Sequence, residues 1–318
     1  MIEARGLART FSTRTGPVEA VRGVDLDVAD GEIVGFLGPN GAGKTTTLRM
    51  LTTLLTPTAG RATVAGCDLA TDPVGVRRRI GYVAQGGVTY PEARVGEEVV
   101  DQARLYGIDK ATGAERGRAL FAQLDLDAEL WGRNCGSLSG GQRRRLDIVM
   151  GLVHQPVLVF LDEPSTGLDP QSRANLWGHV RGLREGGTTV FLTTHYLDEA
   201  DALCDRILVI DHGVIVAAGS PEELKRQVSG DAVVLTLGDA GRAADAATVL
   251  SGVNGTDEPV VDGRLVSVHV PDGGHLLPAL LRDLDHKGIA LDAVEVRRPT
   301  LDDVFLSLTG RSLREGND

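Results

Sequence analysis

The sequence is short of several things that usually sort a protein quickly. Its 318 residues hold three cysteines, Cys67, Cys135 and Cys204, too scattered for a disulfide framework or for metal-ligand spacing, so they read as reduced packing residues. It has no apolar run of about eighteen residues, the length a membrane-crossing helix needs; PVLVFL and RILVI are only strand-length. The opening MIEARGLART lacks the apolar core of a secretory signal, which points to the cytosol. Positive charge is in deficit: 33 Lys and Arg face 44 Asp and Glu, for a net charge of −11. A phosphate backbone demands a basic face, so nucleic acid is not an expected partner. Heptads, strong repeats and low-complexity tracts are missing too. What remains is 42% hydrophobic and 24% charged, the composition of a globular chain able to bury one large core or two ordinary ones.

Hydrophobic patterning predicts an α/β first part. EIVGFLG is a buried-strand run that leads through a loop into KTTTLRMLTTLL, which has helical spacing. PVLVFLDEP and TTVFLTTH are further buried strands with polar endings, and in open parallel sheets ligands gather beyond such carboxyl ends. Residues 86–155 are helix-rich, and RILVIDHGVIVAAG reads as a hairpin turning at Asp211-His212-Gly213. From about residue 229 the pattern changes to β-α-β-β-α-β, the split βαβ or ferredoxin-like order, with helices at AADAATVLSGV and HLLPALLRDLDHKG. A last helix, LDDVFLSLTGR, follows Pro299, and EELKRQVSGD is the expected join.

Two stretches carry phosphate chemistry. GPNGAGKT, between a strand and a helix, satisfies G-x-x-x-x-G-K-[ST]. Gly38, Gly41 and Gly43 let the backbone wrap a pyrophosphate, Lys44 reaches the β/γ oxygens, and Thr45 offers a hydroxyl to Mg²⁺. VLVFLDE ends a strand on two acids, so Asp162 can anchor Mg²⁺ and Glu163 can act as base or water-orienting group. SLSGGQRRR, residues 137–145, is a second glycine-rich entry to a helix, and a single nucleotide needs only one such cradle. The run Arg143 to Arg145 fans around that helix and is expected to form a solvated, salt-bridged face.

LSGGQ, together with GPNGAGKTT, FLDEPSTGLDP and LTTHYLDEAD in this order, resembles the ATP-binding subunit of ABC transporters through roughly the first 225 residues. The tail RRPTLDDVFLSLTGR, with RRRLDIVMGLVHQP and TTHYLDEADALCDRI, is similar to the daunorubicin-resistance ATP-binding family. The resemblance implies a P-loop NTPase core of the ABC ATPase type with a helical subdomain and an N-terminal antiparallel β layer. A small C-terminal ferredoxin-like α/β domain would follow. The nucleotide-binding domain would span 1–228, with the helical subdomain at about 86–155, and an accessory domain 229–318. The segment Gly38, Pro39, Asn40, Gly41, Ala42, Gly43, Lys44, Thr45 and Thr46 would then hold ATP. Gln85 would position water or Mg²⁺ and report to the permease, Asp169 would link two protomers, His195 would contact the γ-phosphate, and Phe11 would stack on adenine.

The same resemblance answers why there are two cradles: two chains pack head to tail, and Ser139, Gly140, Gly141 and Gln142 of one close over the ATP held by Lys44 of the other. The physics supports this division, because a second helix N-terminus delivered from outside favours the triphosphate over the diphosphate. The expected activity is Mg²⁺-assisted ATP hydrolysis, catalysed by Glu163, His195 and Gln85. The expected partners are a second copy of the chain and an integral-membrane permease on a separate polypeptide. The subunit would be peripheral on the inner face of a bacterial membrane and would drive export of a drug or other amphiphile. Coiled-coil repair ATPases are set aside by the missing heptads, and translation-factor ATPases by the single set of motifs. A regulatory ATP-dependent module without a permease is the alternative. The tail could serve dimer stability or regulation.

Overall fold

Five consecutive buried residues, Ile33 to Leu37, cannot leave either face of a strand to solvent, and the structure places them at the centre of a covered parallel sheet. The structure is a computed structural model that describes residues 1–87, 89–228, 230–252 and 258–310. The chain begins with β1 (Ile2–Thr13) and β2 (Gly16–Val28), followed by β3 (Ile33–Leu37), α1 (Lys44–Leu51), β4 (Ala59–Val64), β5 (Cys67–Asp68) and α2 (Pro73–Arg79). Next come β6 (Ile80–Val83), α3 (Val95–Leu105), α4 (Lys110–Gln123), α5 (Gly140–Leu152), β7 (Leu158–Asp162), α6 (Pro170–Glu185), β8 (Thr189–Thr194) and α7 (Leu197–Leu203). The hairpin β9 (Arg206–Asp211) and β10 (Val214–Gly219) completes this part. Its turn residues His212 and Gly213 both have positive φ, the type I′ geometry that matches strand twist, at the position the sequence predicts.

The strands make an antiparallel layer, β2-β1-β4-β5, and a six-stranded sheet, β10-β9-β3-β8-β7-β6, parallel except at β10. The Phe191 ring packs between those of Phe36 and Phe160, 5.6 Å from each centroid; all three are fully buried, each worth about 2–3 kcal/mol of burial. Register fixes where chemistry gathers. Leu37 pairs with Thr194, Thr193 with Asp162, and Leu161 with Val83, so β3, β8, β7 and β6 all end at one edge. The expected helical subdomain contains α3, α4 and α5, with Phe121 packed edge-on to Trp131.

α1 is shorter than KTTTLRMLTTLL suggests. It stops at Leu51, the Thr52 hydroxyl bonds back to the carbonyl of Leu48 at 2.9 Å, and Thr53 turns to φ 63°. β-branched residues with a hydroxyl compete for backbone groups at such a point and help end the helix.

One compact unit covers Met1–Pro221 and a second begins at Glu222, upstream of the 228/229 boundary expected from the sequence. After α8 (Pro221–Lys225), the second unit runs β11 (Asp231–Leu237), α9 (Ala243–Ser251), β12 (Val260–Asp262), β13 (Leu265–Val270), α10 (Gly273–His286), β14 (Leu291–Arg297) and α11 (Leu301–Thr309). Its antiparallel order β12-β13-β11-β14 is ferredoxin-like, and Val233, Leu235, Val266 and Val268 form a core with Ala246, Leu250, Leu280 and Leu284 of α9 and α10. Val253 and Arg311, which the sequence reading placed at the ends of α9 and α11, lie outside the described residues. Among the described residues no helix is long and apolar enough to cross a membrane.

Candidate active site

The loop after β3 is glycine because nothing else fits. A Cβ on Gly38 would stand 2.2 Å from the carbonyl oxygen of Ile210, and one on Gly43, at φ 108°, 2.6 Å from that of Ala20. Gly43 caps α1 with no side chain, so no side-chain oxygen claims the first-turn N–H groups and they remain available to an anion.

A cleft of about 550 Å³ opens over this loop, lined by Asn40, Gly41, Gly43, Lys44, Thr45 and Thr46 together with Ala20, Gln85, Glu163, Thr166 and His195. Lys44 is only 4% exposed; its Nζ donates to the carbonyls of Gly38 at 2.7 Å and Pro39 at 3.1 Å and lies 3.5 Å from Glu163 Oε1. Glu163 Oε2 accepts from Gln85 Nε2 at 2.8 Å and from the Thr166 hydroxyl at 3.2 Å, with His195 Nδ1 3.4 Å away at ion-pair distance but without hydrogen-bond geometry. The two charges respond differently to one environment. Burial pulls the pKa of Lys44 below its usual value despite Glu163. For Glu163 the attraction wins: the neighbouring His195, then Lys44 and Thr166, hold the carboxyl below the usual glutamate range against burial. Glu163 therefore stays ionised at neutral pH, a carboxylate facing the place where an anion would be cradled.

Asp162 stands one residue back, buried, with Oδ1 accepting from the hydroxyls of Thr45 at 3.2 Å and Thr193 at 2.6 Å. A carboxylate and a hydroxyl are hard oxygen donors of the kind Mg²⁺ takes when phosphates and water fill the rest of its octahedron. Among the described residues no group of three or more His, Cys, Asp or Glu could hold a metal ion.

Other predicted residues lie elsewhere. Ser139 caps α5: its hydroxyl accepts from Gln142 N at 3.2 Å, while Gln142 Oε1 accepts from Ser139 N at 3.0 Å, a capping box. Neither these two nor Gly140 and Gly141 line the Lys44 cleft; Gly141 instead sits against Ser172 at the start of α6. Asp169 caps α6, accepting from Ser172 N at 2.9 Å and Ser172 Oγ at 2.6 Å, contacts that hold its carboxyl below the usual range. Phe11, on β1, is also outside the cleft lining, with the Arg9 guanidinium 4.8 Å above its ring; Ala20 is the β2 residue that lines the cleft. The two cradles of one chain thus stand apart.

One expectation is corrected. Arg143 is exposed and Arg145 half-buried, but Arg144 is not part of a solvated face. It is 7% exposed, and its guanidinium donates to the carbonyls of Ala84 at 2.6 Å, Asp162 at 3.0 Å and Pro164 at 3.0 Å. Its fork ties α5 to both sides of the cleft, next to Gln85 and Glu163. A lysine cannot satisfy all three carbonyls with that geometry. Arg144→Lys should cost about 2–3 kcal/mol, the worth of one or two charge-assisted bonds, seen as a lower urea midpoint with an unchanged slope.

Nearby, the Ser165 hydroxyl and Trp177 Nε1 donate to the buried carboxyl of Glu199 on α7, which burial pushes above the usual range. These contacts hold the loop that follows Glu163. Sequence alone gave no reason to single out Arg144, Thr166, Thr193 or Glu199, although a threonine pair ahead of His195 is a polar ending on an otherwise apolar strand.

Residues 21–166 match the ABC transporter family, and residues 219–309 match the C-terminal domain of DrrA1-3-like ATP-binding proteins. The chain is 44% identical over 307 residues to the daunorubicin resistance ATP-binding protein DrrA3 of Streptomyces coeruleorubidus, covering 95% of this chain and 94% of that protein. It is 41% identical over 313 residues to the doxorubicin resistance ATP-binding protein DrrA of Mycobacterium tuberculosis (strain ATCC 25618 / H37Rv), covering 97% of this chain and 93% of that protein. Among solved structures, the bacterial ABC transporter cassette MJ0796 shares its fold with a TM-score of 0.64 at 24% identity, over 69% of this chain and 98% of that one.

Proposed function

Because this chain belongs to the family of ABC transporter ATP-binding proteins of the daunorubicin-resistance type, we propose that the Lys44 cleft is its ATP-hydrolysing site and that the energy drives a separate membrane permease. The chain is the ATP-binding subunit of a drug-resistance ABC exporter, and a module working without a permease is not favoured. The observation that carries the catalytic assignment is the ionised Glu163, held by Gln85 and Thr166 and facing Lys44 over the glycine loop.

In this reading the loop amides of 38–46 and Lys44 bind the β- and γ-phosphates. Glu163 orients the attacking water and draws on its proton, Gln85 fixes the carboxylate and His195 stabilises charge on the γ-phosphate. Thr45 and Asp162 would hold Mg²⁺, which would supply positive charge to offset that of the triphosphate. Lys44 exchanges the carbonyls of Gly38 and Pro39 for phosphate oxygens, so it is pre-placed. The first unit serves as the nucleotide-binding domain and the second, which begins at Glu222, as the accessory domain.

The second cradle belongs to the neighbour. Its separation from the Lys44 cleft within one chain supports a head-to-tail dimer in which Ser139, Gly140, Gly141 and Gln142 approach the partner's ATP. Asp169 sits beside that loop through Ser172. The dimer docks on the inner membrane face against an integral-membrane permease. Phosphate release from Mg²⁺ and ATP tests the site, first with the purified chain and then with a candidate membrane permease added. Hydrolysis should be present and should rise several-fold with the permease and an exported compound. Absence of hydrolysis in both settings would remove the assignment.

A further inference from the structure

The reading above leaves Thr193 without a task, yet it touches both acids. It stands opposite Asp162 in the parallel register of β7 and β8 and is wholly buried. Its hydroxyl donates to Asp162 Oδ1 at 2.6 Å and accepts from the backbone N–H of Glu163 at 3.0 Å. A hydroxyl has one proton and two lone pairs, so both bonds form at once. The directions follow from the amide: it can only donate, so the hydroxyl's own proton goes to Asp162 Oδ1.

The second bond lands where the backbone is strained. Glu163 has φ 44°, in the left-handed region that a residue with a Cβ occupies only when its surroundings hold it there. The restraints on its N–H are the Thr193 hydroxyl and, at 3.2 Å, the Thr193 carbonyl. Without the hydroxyl, Asp162 Oδ1 would keep the longer bond from Thr45 at 3.2 Å, and the Glu163 amide would keep the carbonyl alone. The β-branched side chain adds stiffness at χ1, which keeps the hydroxyl aimed.

We propose that Thr193 is a positioning residue whose single buried hydroxyl sets the spacing between the Mg²⁺-facing carboxylate of Asp162 and the water-facing carboxylate of Glu163. This rests on the roles proposed for those two acids. A valine is the residue this apolar strand would otherwise take, and it has the same shape; the hydroxyl is therefore there for its bonds.

The test compares Thr193→Val, which removes the hydroxyl at constant shape, with Thr193→Ser, which keeps it, in the full chain. Three measurements are made: thermal midpoint without nucleotide, Mg²⁺ titration of fluorescent ATP-analogue binding, and steady-state kcat and KM. Thr193→Val should lower kcat about tenfold with KM nearly unchanged and raise the Mg²⁺ requirement by a similar factor, as expected for one lost bond to a charged group. Thr193→Ser should recover both to within about threefold. A valine variant with the wild-type kcat and Mg²⁺ midpoint overturns the inference while wild-type hydrolysis leaves the functional reading standing. Equal loss in valine and serine variants also overturns it, since shape and not the hydroxyl would then matter. If the valine variant melts out, Thr193→Ala against Thr193→Ser carries the same comparison. A wild type that neither binds nor hydrolyses ATP with Mg²⁺ sinks the functional reading itself, and this inference with it.

Discussion

Glu163→Gln is expected to bind nucleotide as the wild type does, to lose about a thousandfold in hydrolysis, and to run as a dimer in gel filtration when ATP is present. The substitution keeps the shape, and its side-chain carbonyl can still accept from Gln85, whose Nε2 lies 2.8 Å from Oε2. What it removes is the negative charge 3.5 Å from Lys44, the carboxylate proposed to draw on the attacking water's proton. Binding depends on the loop amides and on Lys44, so it survives; the chemical step does not. In the proposed head-to-tail pair, triphosphate that cannot be cleaved would keep the two chains together. A variant that stays monomeric with ATP, or turns over normally, would contradict the assignment.

The pH dependence follows with a definite sign. The folded-state pKa of Glu163 is depressed, chiefly by His195, so its stabilising contribution is complete above the unfolded glutamate pKa and is lost as pH falls through the lower folded value. Wild-type activity should therefore persist from neutral into mildly acidic pH, with its acid limb below the ordinary glutamate range. In Glu163→Gln the matching loss of stability should disappear from acid titrations followed by circular dichroism.

Lys44→Ala should weaken ATP about ten- to a hundredfold, the worth of one charge-assisted contact to phosphate, in a titration with a fluorescent ATP analogue. Its ammonium is buried and held by two backbone carbonyls, so it waits beside the cradle and little ordering remains to be done on binding. Burial already disfavours its charge in the nucleotide-free fold, and its removal should leave the thermal midpoint without nucleotide close to that of the wild type. The gain in midpoint on adding ATP and Mg²⁺ should shrink sharply. Unchanged affinity would take the phosphate role from this residue.

The residues legible in the sequence were those whose chemistry is local. Gly38, Gly43 and Lys44 announce themselves because a loop that hugs a phosphate has a fixed spacing, and Asp162 and Glu163 because two acids end an apolar strand. The second unit was legible as an order of elements, since period-two and helical patterns alternate cleanly there. Thr193 was not legible, because its meaning depends on the register that sets it opposite Asp162, and no local pattern encodes register between strands so distant in sequence. Arg144 was hidden among three arginines: only helix packing decides which of them turns inward. Phe11 shows the reverse case, an aromatic chosen by family likeness whose ring the structure places outside the cleft lining.

The guanidinium of Arg144 has a mechanical consequence. It rivets the stem of the helix capped by Ser139 to the carbonyls of Ala84 and Asp162, the residues just before Gln85 and Glu163. In a head-to-tail pair, that helix tip serves one nucleotide and those two residues serve the other. A tug on the glutamine loop would then be carried to the far nucleotide along about five residues of helix, roughly 7.5 Å from the riveted guanidinium to the capped tip.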